Sequence, residues 1–362
     1  MSKSTGTLTI VVILVFIIAC VFFIWFVRNK NVNALNENTL YVANNGIDSN
    51  TCGDRNSPCR SISQAIARAN AGYTIEVGPG RYGDLNKNNI LGEPGEEFTQ
   101  GFSMINVDKP VTIISSDGPL MTVLDANNSS LMAVSVSASN VIFGQPKHGF
   151  LIIGAKTNGL STGIATVSNI TVAGNIALAN GQGGLVVNGS ASLIQDNFVS
   201  GNLAAGIAVF GNGNEVSNNV ANSNGSQGFV IVGTKHLIRD NVAGNNATGF
   251  GIQGTDIKLL QNAALGNKFF GISVDIAGAS ATISNNNIYG NNSVPLNGVT
   301  NCGIQNASGN TIVANDNFWG MPSGPGADPA DNAGKDSGCD TQGSDTTVIP
   351  FAKKTFSISG NQ

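Results

Sequence analysis

The chain has 362 residues, of which only 11% are charged and 6% aromatic, with 46 glycines and a formal net charge of −4. So small a charge argues neither for nucleic acid nor for an acidic partner, and no Lys/Arg run with interleaved aromatics exists to grip a polynucleotide. Glycine-rich and weakly charged, the composition suits a turn-rich β protein.

Residues 1–7 form a short tail. From Leu8 to Val27 the sequence is almost unbroken apolar, with Thr9 its only clearly polar member. Twenty residues rising 1.5 Å each span the roughly 30 Å hydrocarbon core of a bilayer. The segment therefore reads as an uncleaved N-terminal membrane anchor, because a cleavable signal has about 7–15 apolar residues and a small-residue cleavage site. Ile17-Ile18-Ala19-Cys20 resembles a lipoprotein cleavage box, yet seven further apolar residues follow Cys20. Lys3 on one flank against Arg28 and Lys30 on the other leaves the orientation open. Residues 28–38 are a mostly polar linker.

Residues 39–100 read as a cap. Leu40-Tyr41-Val42-Ala43 is a short strand, followed by turn-rich sequence. Ser61-Ile62-Ser63-Gln64 has the capping-box pattern, and Ile62, Ala65, Ile66 and Ala69 then fall on one helical face. A helix is expected over Ser61–Ala71, then a strand at Thr74–Val77 and a turn at Gly78-Pro79-Gly80. A helix laid across the open end of a strand stack shields its unpaired edge.

Within residues 101–320 a glycine recurs at Gly163, Gly184, Gly206, Gly228, Gly249 and Gly271, every 21 or 22 residues. Each opens a short apolar phrase such as Gly206-Ile207-Ala208-Val209. Repeats near 22 residues with Gly/Asn corners are what the stacked coils of a parallel β-solenoid require; helical repeats need about 33 residues. About ten coils of three short strands are expected. Coils lie roughly 4.8 Å apart, so like stacks on like. Ile164, Leu185, Ile207, Phe229, Phe250 and Ile272 should form one inward column, and Thr166, Val187, Val209, Ile231, Ile252 and Val274 the next. Asn175, Asn197, Asn219, Asn241 and Asn262, with Asn180, Asn202, Asn224, Asn246 and Asn267, read as corner ladders that pass hydrogen bonds between coils.

Alternation places Ala165, Val186, Ala208, Val230, Gly251 and Ser273 outward, with Val167, Asn188, Phe210, Val232, Gln253 and Asp275 beside them. Asp275 is the one charge among them. Phe210, Val230, Val232 and Asp275 are the candidate binding residues, since an apolar stripe marks a contact surface, covered by the C-terminal tail, another subunit or a partner. On the strand ahead of each asparagine, Glu215, Lys235, His236, Arg239, Asp240 and Lys258 gather as either a surface ion network or a groove. Four cysteines, Cys52, Cys59, Cys302 and Cys339, lie in pairs at the two ends without zinc-site spacing. Four allow three connectivities; Cys52–Cys59 and Cys302–Cys339 are expected, in an oxidising compartment. Residues 321–362 close the chain. Their Asp328, Asp331, Asp336, Asp340 and Asp345 raise calcium, but the intervening residues lack the rhythm of a calcium loop. No cofactor or metal is otherwise expected.

The stretch LYVANNGIDSNTCGDRNSPCRSISQAIARANAGYTIEVGPGRY resembles the N-terminal cap of bacterial right-handed β-helix proteins of the pectin-lyase-like superfamily. NDNFWGMPSGPGADPAD followed by VIPF resembles their closing segment. The resemblance covers residues 39–356. It implies an all-β, right-handed, single-stranded parallel β-helix with an N-terminal capping helix, here preceded by one transmembrane helix. The superfamily includes polysaccharide lyases, glycoside hydrolases, alginate epimerases, adhesins and maturation factors. Its lyases and epimerases need a base, a proton donor and cationic or calcium stabilisation of an enolate-like intermediate; its hydrolases need paired carboxylates. The polygalacturonase set NTD, DD, GHG and RIK, the epimerase DPHD and the pectate-lyase RxPxxR are all missing from this sequence.

The expectation is therefore a membrane-anchored, extracytoplasmic β-helix, in the periplasm or on the cell surface, that binds a polysaccharide or a surface protein without turning it over. Oligomers could form through the apolar strand face. The alternatives are a lyase or epimerase on a uronate-containing glycan, with Arg239 or Lys258 as base and Glu215 as partner, and an envelope maturation factor.

Overall fold

The computed structural model describes residues 38–98, 102–162, 167–291, 302–326, 337–341 and 343–358. The apolar segment 8–27 lies outside them, and among the described residues no helix is long and apolar enough to cross a membrane.

Three parallel sheets run the length of a solenoid, each coil contributing one strand to each. The glycine-led sheet contains Leu185–Ser190, Ile207–Asn212, Gln227–Thr234, Thr248–Thr255 and Phe270–Val274. A second sheet contains Glu215–Ser217, Leu237–Arg239 and Ile257–Leu260, and a third Val220–Asn222, Val242–Gly244 and Ala263–Leu265. Register follows the repeat: Leu185 faces Ile207, then Phe229, Phe250, Ile272 and Ile304, every one fully buried. Like does stack on like, for the Phe229 and Phe250 rings lie 4.8 Å apart at an interplanar angle of 9°.

One coil breaks the spacing. The residue stacked on Leu185 is Leu160, 25 positions earlier, and not Ile164. Val167 pairs with Gly189 and is buried in the core, where uniform spacing had put it outward beside Asn188. Extra residues between Ser161 and Val167 shift the phase, and Gly163, Ile164, Ala165 and Thr166 lie outside the described residues.

Both asparagine ladders form. Asn197 Oδ1 accepts the backbone N–H of Asn175 at 3.0 Å and its Nδ2 at 3.2 Å, while Asn197 Nδ2 reaches Val172 O at 2.9 Å. The same pattern climbs through Asn219, Asn241 and Asn262, then continues to Asn286 and Asn317. Every rung is buried, so each backbone group at the corner is satisfied without water.

The cap helix spans Ile62–Arg68, shorter than expected. Its last carbonyls are taken by the Lys109 ammonium, whose Nζ donates to Ile66 O at 2.8 Å and to Ala67 O and Ala69 O at 3.0 Å. A cation there also complements the helix dipole. Only half of the capping box is realised. Ser61 Oγ accepts Gln64 N–H at 3.1 Å, but the Gln64 amide donates to Ser49 O, and Asp48 Oδ1 accepts Ser61 N–H. The fully buried Glu97 carboxylate accepts the N–H groups of Ile62 at 2.7 Å and Ser63 at 2.9 Å.

Cys52 bonds Cys59 and Cys302 bonds Cys339, one disulfide at each end. The C-terminal segment turns back over the third sheet. Phe356 and Ile358 pack on Val220, Val242, Ala263 and Leu265, and Asn287 clamps the Phe356 backbone with two hydrogen bonds of 2.9 Å. The described tail therefore covers the third sheet and not the glycine-led face, because that is where outward valines coincide with an asparagine able to bind an extended strand.

Candidate functional site: the outer face of the glycine-led sheet

Along this face one outward column runs Asn106, Ser135, Ser161, Val186, Ala208, Val230, Gly251, Ser273 and Gln305. Beside it run Asn188, Phe210, Val232 and Gln253. The apolar stripe is thus confined to three coils, with polar columns at both ends. Phe210, Val230 and Val232 are each half-buried, with Phe210 opposite Val232 in the register.

The chemistry sits at the C-terminal end of the stripe. Gly251 carries no side chain between Val230 and Ser273, and the Gln227 side chain partly fills the shallow hollow that this leaves. A Cβ there would meet Gln227 Cγ at 3.3 Å, Gln227 Nε2 at 3.6 Å and Asp275 Oδ2 at 3.8 Å. Ser226 Oγ holds Gln227 Oε1 at 2.5 Å, which aims Nε2, a donor, over the hollow. On the far side the Ser273 hydroxyl donates to Asp275 Oδ1, and Gln305 Oε1 lies 3.0 Å from the same hydroxyl. Asp275 Oδ2 is left as an acceptor. One donor and one acceptor therefore lie side by side over Gly251, next to Val230 in the same column. A hydroxyl group, which both donates and accepts, fits that pair.

The candidate catalytic residues lie elsewhere, on the second sheet. Arg239 Nη2 is 2.6 Å from Glu215 Oε1, and its Nη1 is 3.0 Å from Asp240 Oδ2. The Glu215 hydrogen bond, then that of Asp240, raises the guanidinium further above its ordinary value, the wrong direction for a base. Leu237 stands between Glu215 and Lys258 in the register, so the structure does not bring those two together. Lys258 is exposed.

His236, grouped with these charges by sequence, is buried at the corner. Its Nδ1 accepts Asn214 N–H at 3.1 Å and its Nε2–H points at Val232 O, 3.2 Å away. Burial lowers its pKa, against the smaller opposing pull of the Val232 and Gly211 backbone. It is the end of a third ladder: Ser192 Oγ accepts Ile170 N–H, Asn214 Oδ1 accepts Ser192 N–H, and His236 accepts from Asn214. The signal was present in the 22-residue spacing of Ser192, Asn214 and His236, each preceded by a left-handed residue, Ala191, Gly213 or Lys235. Gln227 stands just before Gly228, where the other repeats have Gly183, Ala205, Thr248 and Phe270, so the position carries no repeat signal.

Among the described residues one group of three potential metal ligands clusters, Asp48, Cys52 and Cys59, and its two sulfurs are bonded to each other. Asp328, Asp331 and Asp336 lie outside the described residues, while Asp340 binds the Thr346 backbone and hydroxyl.

The model of a right handed beta helix region matches residues 158–318. No curated protein matches the chain. Among solved structures, pectate lyase Pel9A is 19% identical, with 87% of this chain and 78% of that one covered and a TM-score of 0.55. The A-module of Azotobacter vinelandii mannuronan C-5 epimerase AlgE4 is also 19% identical, over 87% of this chain and 98% of that one, with a TM-score of 0.52. The AlgE6 A-module follows at 14% identity, 82% and 94% coverage and a TM-score of 0.51. The chain has the right-handed parallel β-helix fold that these structures share.

Proposed function

We propose that this protein binds a glycan along the outer face of the glycine-led sheet and does not turn it over. The observation that carries this reading is the hollow at Gly251, with Gln227 Nε2 and Asp275 Oδ2 on its two sides. A sugar ring offers hydroxyls to such a pair and an apolar C–H face to Val230, Val232 and Phe210. Asp275 is the one carboxylate beside Gly251, and the next in the same column, Asp108, stands in the first coil, so a base and an acid are not assembled there. Arg239, tied to Glu215 and Asp240, supports the same conclusion. Two disulfides suit an extracytoplasmic compartment, to which the apolar segment 8–27 would tether the domain.

Binding of the full chain, kept in detergent, to immobilised neutral and uronate oligosaccharides tests the reading. Saturable binding is expected, with no unsaturated-uronate absorbance on alginate or pectate, with or without calcium. Sustained turnover abolished by Asp275→Asn would replace it with the lyase or epimerase alternative. Binding to a protein alone would make the apolar stripe, not the hollow, the working surface.

A further inference from the structure

At the capped end of the solenoid, in the loop between Gly83 and Phe98, Glu96 is 4% exposed and its Oε2 has no hydrogen-bond partner. Its Oε1 accepts the backbone N–H groups of Leu85 at 2.8 Å and Asn86 at 3.2 Å, which sets the carboxylate against the first turn of the loop. A buried carboxylate oxygen with nothing opposite is costly and wants a counter-charge. Two guanidinium groups lie against this loop without an ion pair to Glu96: Arg81 Nη1 donates to Leu85 O at 3.4 Å, and Arg60 runs beside Gly95. Arg81 pairs with Asp125 at 2.8 Å, and Arg60 lies over the Tyr82 ring, 5.4 Å from its centroid.

Oxygen is dense around the same turn. Asp84, fully buried, accepts Lys87 N–H and Asn89 N–H at 2.7 Å each and Asn127 Nδ2 at 3.1 Å. Asn86 and Asn88 both direct Nδ2 to Glu93 Oε2, at 2.5 and 2.7 Å, while each Oδ1 accepts the N–H two residues on, at 2.9 and 2.8 Å. The order Asp84-x-Asn86-x-Asn88, followed by Asn89 at φ 64°, has the alternation of a calcium loop, whose sixth residue turns left-handed. Such a loop ends on a glutamate at its twelfth position; here Gly95 stands there and Glu96 follows.

We propose that residues 84–96 hold one divalent cation of the calcium class, with Glu96 Oε2 and the side-chain oxygens of Asp84, Asn86 and Asn88 as ligands. All four are hard oxygen donors, and the loop contains no histidine or cysteine, which excludes a zinc-type donor set. The cation would pin this loop, and through Asn127 the next coil, at the capped end of the solenoid. The site is independent of the glycan reading.

The test is equilibrium dialysis of the full chain in detergent against labelled calcium chloride after chelation, with a thermal scan alongside. One equivalent is expected with Kd about 0.1–1 mM, the range of extracellular modules. At tenfold excess the unfolding midpoint should rise by about 2–3 °C. Glu96→Gln keeps the acceptor for Leu85 and Asn86 but removes the charge. It should bind calcium at least about tenfold more weakly and be no less stable than calcium-free wild type. Asn88→Ala, at an exposed position, should weaken binding without unfolding the cap. No saturable uptake by wild type at ten times the upper Kd, or unchanged affinity in both variants, would overturn the proposal.

Discussion

Two amide-rich regions of this solenoid use the same functional group in opposite ways. At the corners, Asn197, Asn219 and Asn241 are buried, and each amide both accepts from one neighbouring coil and donates to another. On the glycine-led face, Gln227 has its oxygen held by Ser226 and its nitrogen without a partner among the described residues. A saturated amide can only stabilise. A half-satisfied amide beside a hollow has hydrogen-bonding capacity left for a ligand, so the contrast separates architecture from recognition better than residue type does.

The largest expected effect lies inside. Asn219→Ala strips the acceptor from Asn197 N–H and Nδ2 and the donor from Ile194 O and Ser217 O. A loss of about 3–5 kcal/mol should appear in denaturant unfolding; a loss under about 1 kcal/mol would mean that the ladder is not what holds the corner. Gln227→Leu removes an amide of similar chemistry outside. Stability should change by no more than about 0.5 kcal/mol, while glycan affinity falls about tenfold, or roughly 1.4 kcal/mol.

His236 tests the third ladder by pH. Burial holds its folded pKa below the ordinary value of about 6.5. The unfolded chain therefore binds more protons, and stability is full above that value and erodes as pH falls through it. His236→Asn can still accept Asn214 N–H and should flatten the profile between pH 7 and 5; an unchanged profile would assign the acid sensitivity to another group. The smallest effect belongs to Arg239→Ala. Its side chain is 40% exposed, so solvent screens both ion pairs and no more than about 1 kcal/mol should be lost.

Stacking made the interior legible from sequence, since a column needs the same residue class every 21 or 22 positions. Leu185, Ile207, Phe229, Phe250 and Ile272 could be aligned by counting alone. Counting failed at Leu160, where extra residues before Val167 change the phase and leave composition unchanged. It failed again at His236, whose imidazole serves a backbone N–H as an asparagine would, although its residue type suggests surface charge. The face was half legible. Asp275 stood out as the lone charge, but the hollow depends on Gly251 and Gln227 from neighbouring coils, and no single repeat displays it. The disulfides followed from position at the two ends, whereas the loop from Asp84 to Glu96 lies outside the repeats, and burial of Glu96 against Leu85 and Asn86 has no periodic signal.

The central claim is that recognition resides at the Gly251 hollow and not in the Glu215–Arg239 network. The direct measurement is the affinity of one glycan for Gly251→Val and Arg239→Ala side by side. Valine would put a branched side chain where Gln227 now lies, its Cβ 3.3 Å from Gln227 Cγ and 3.8 Å from Asp275 Oδ2, and so push the amide donor off its place. Affinity should fall at least about tenfold in Gly251→Val and stay within about twofold of wild type in Arg239→Ala. Retained binding in Gly251→Val together with loss in Arg239→Ala would contradict the account and move the site to the second sheet.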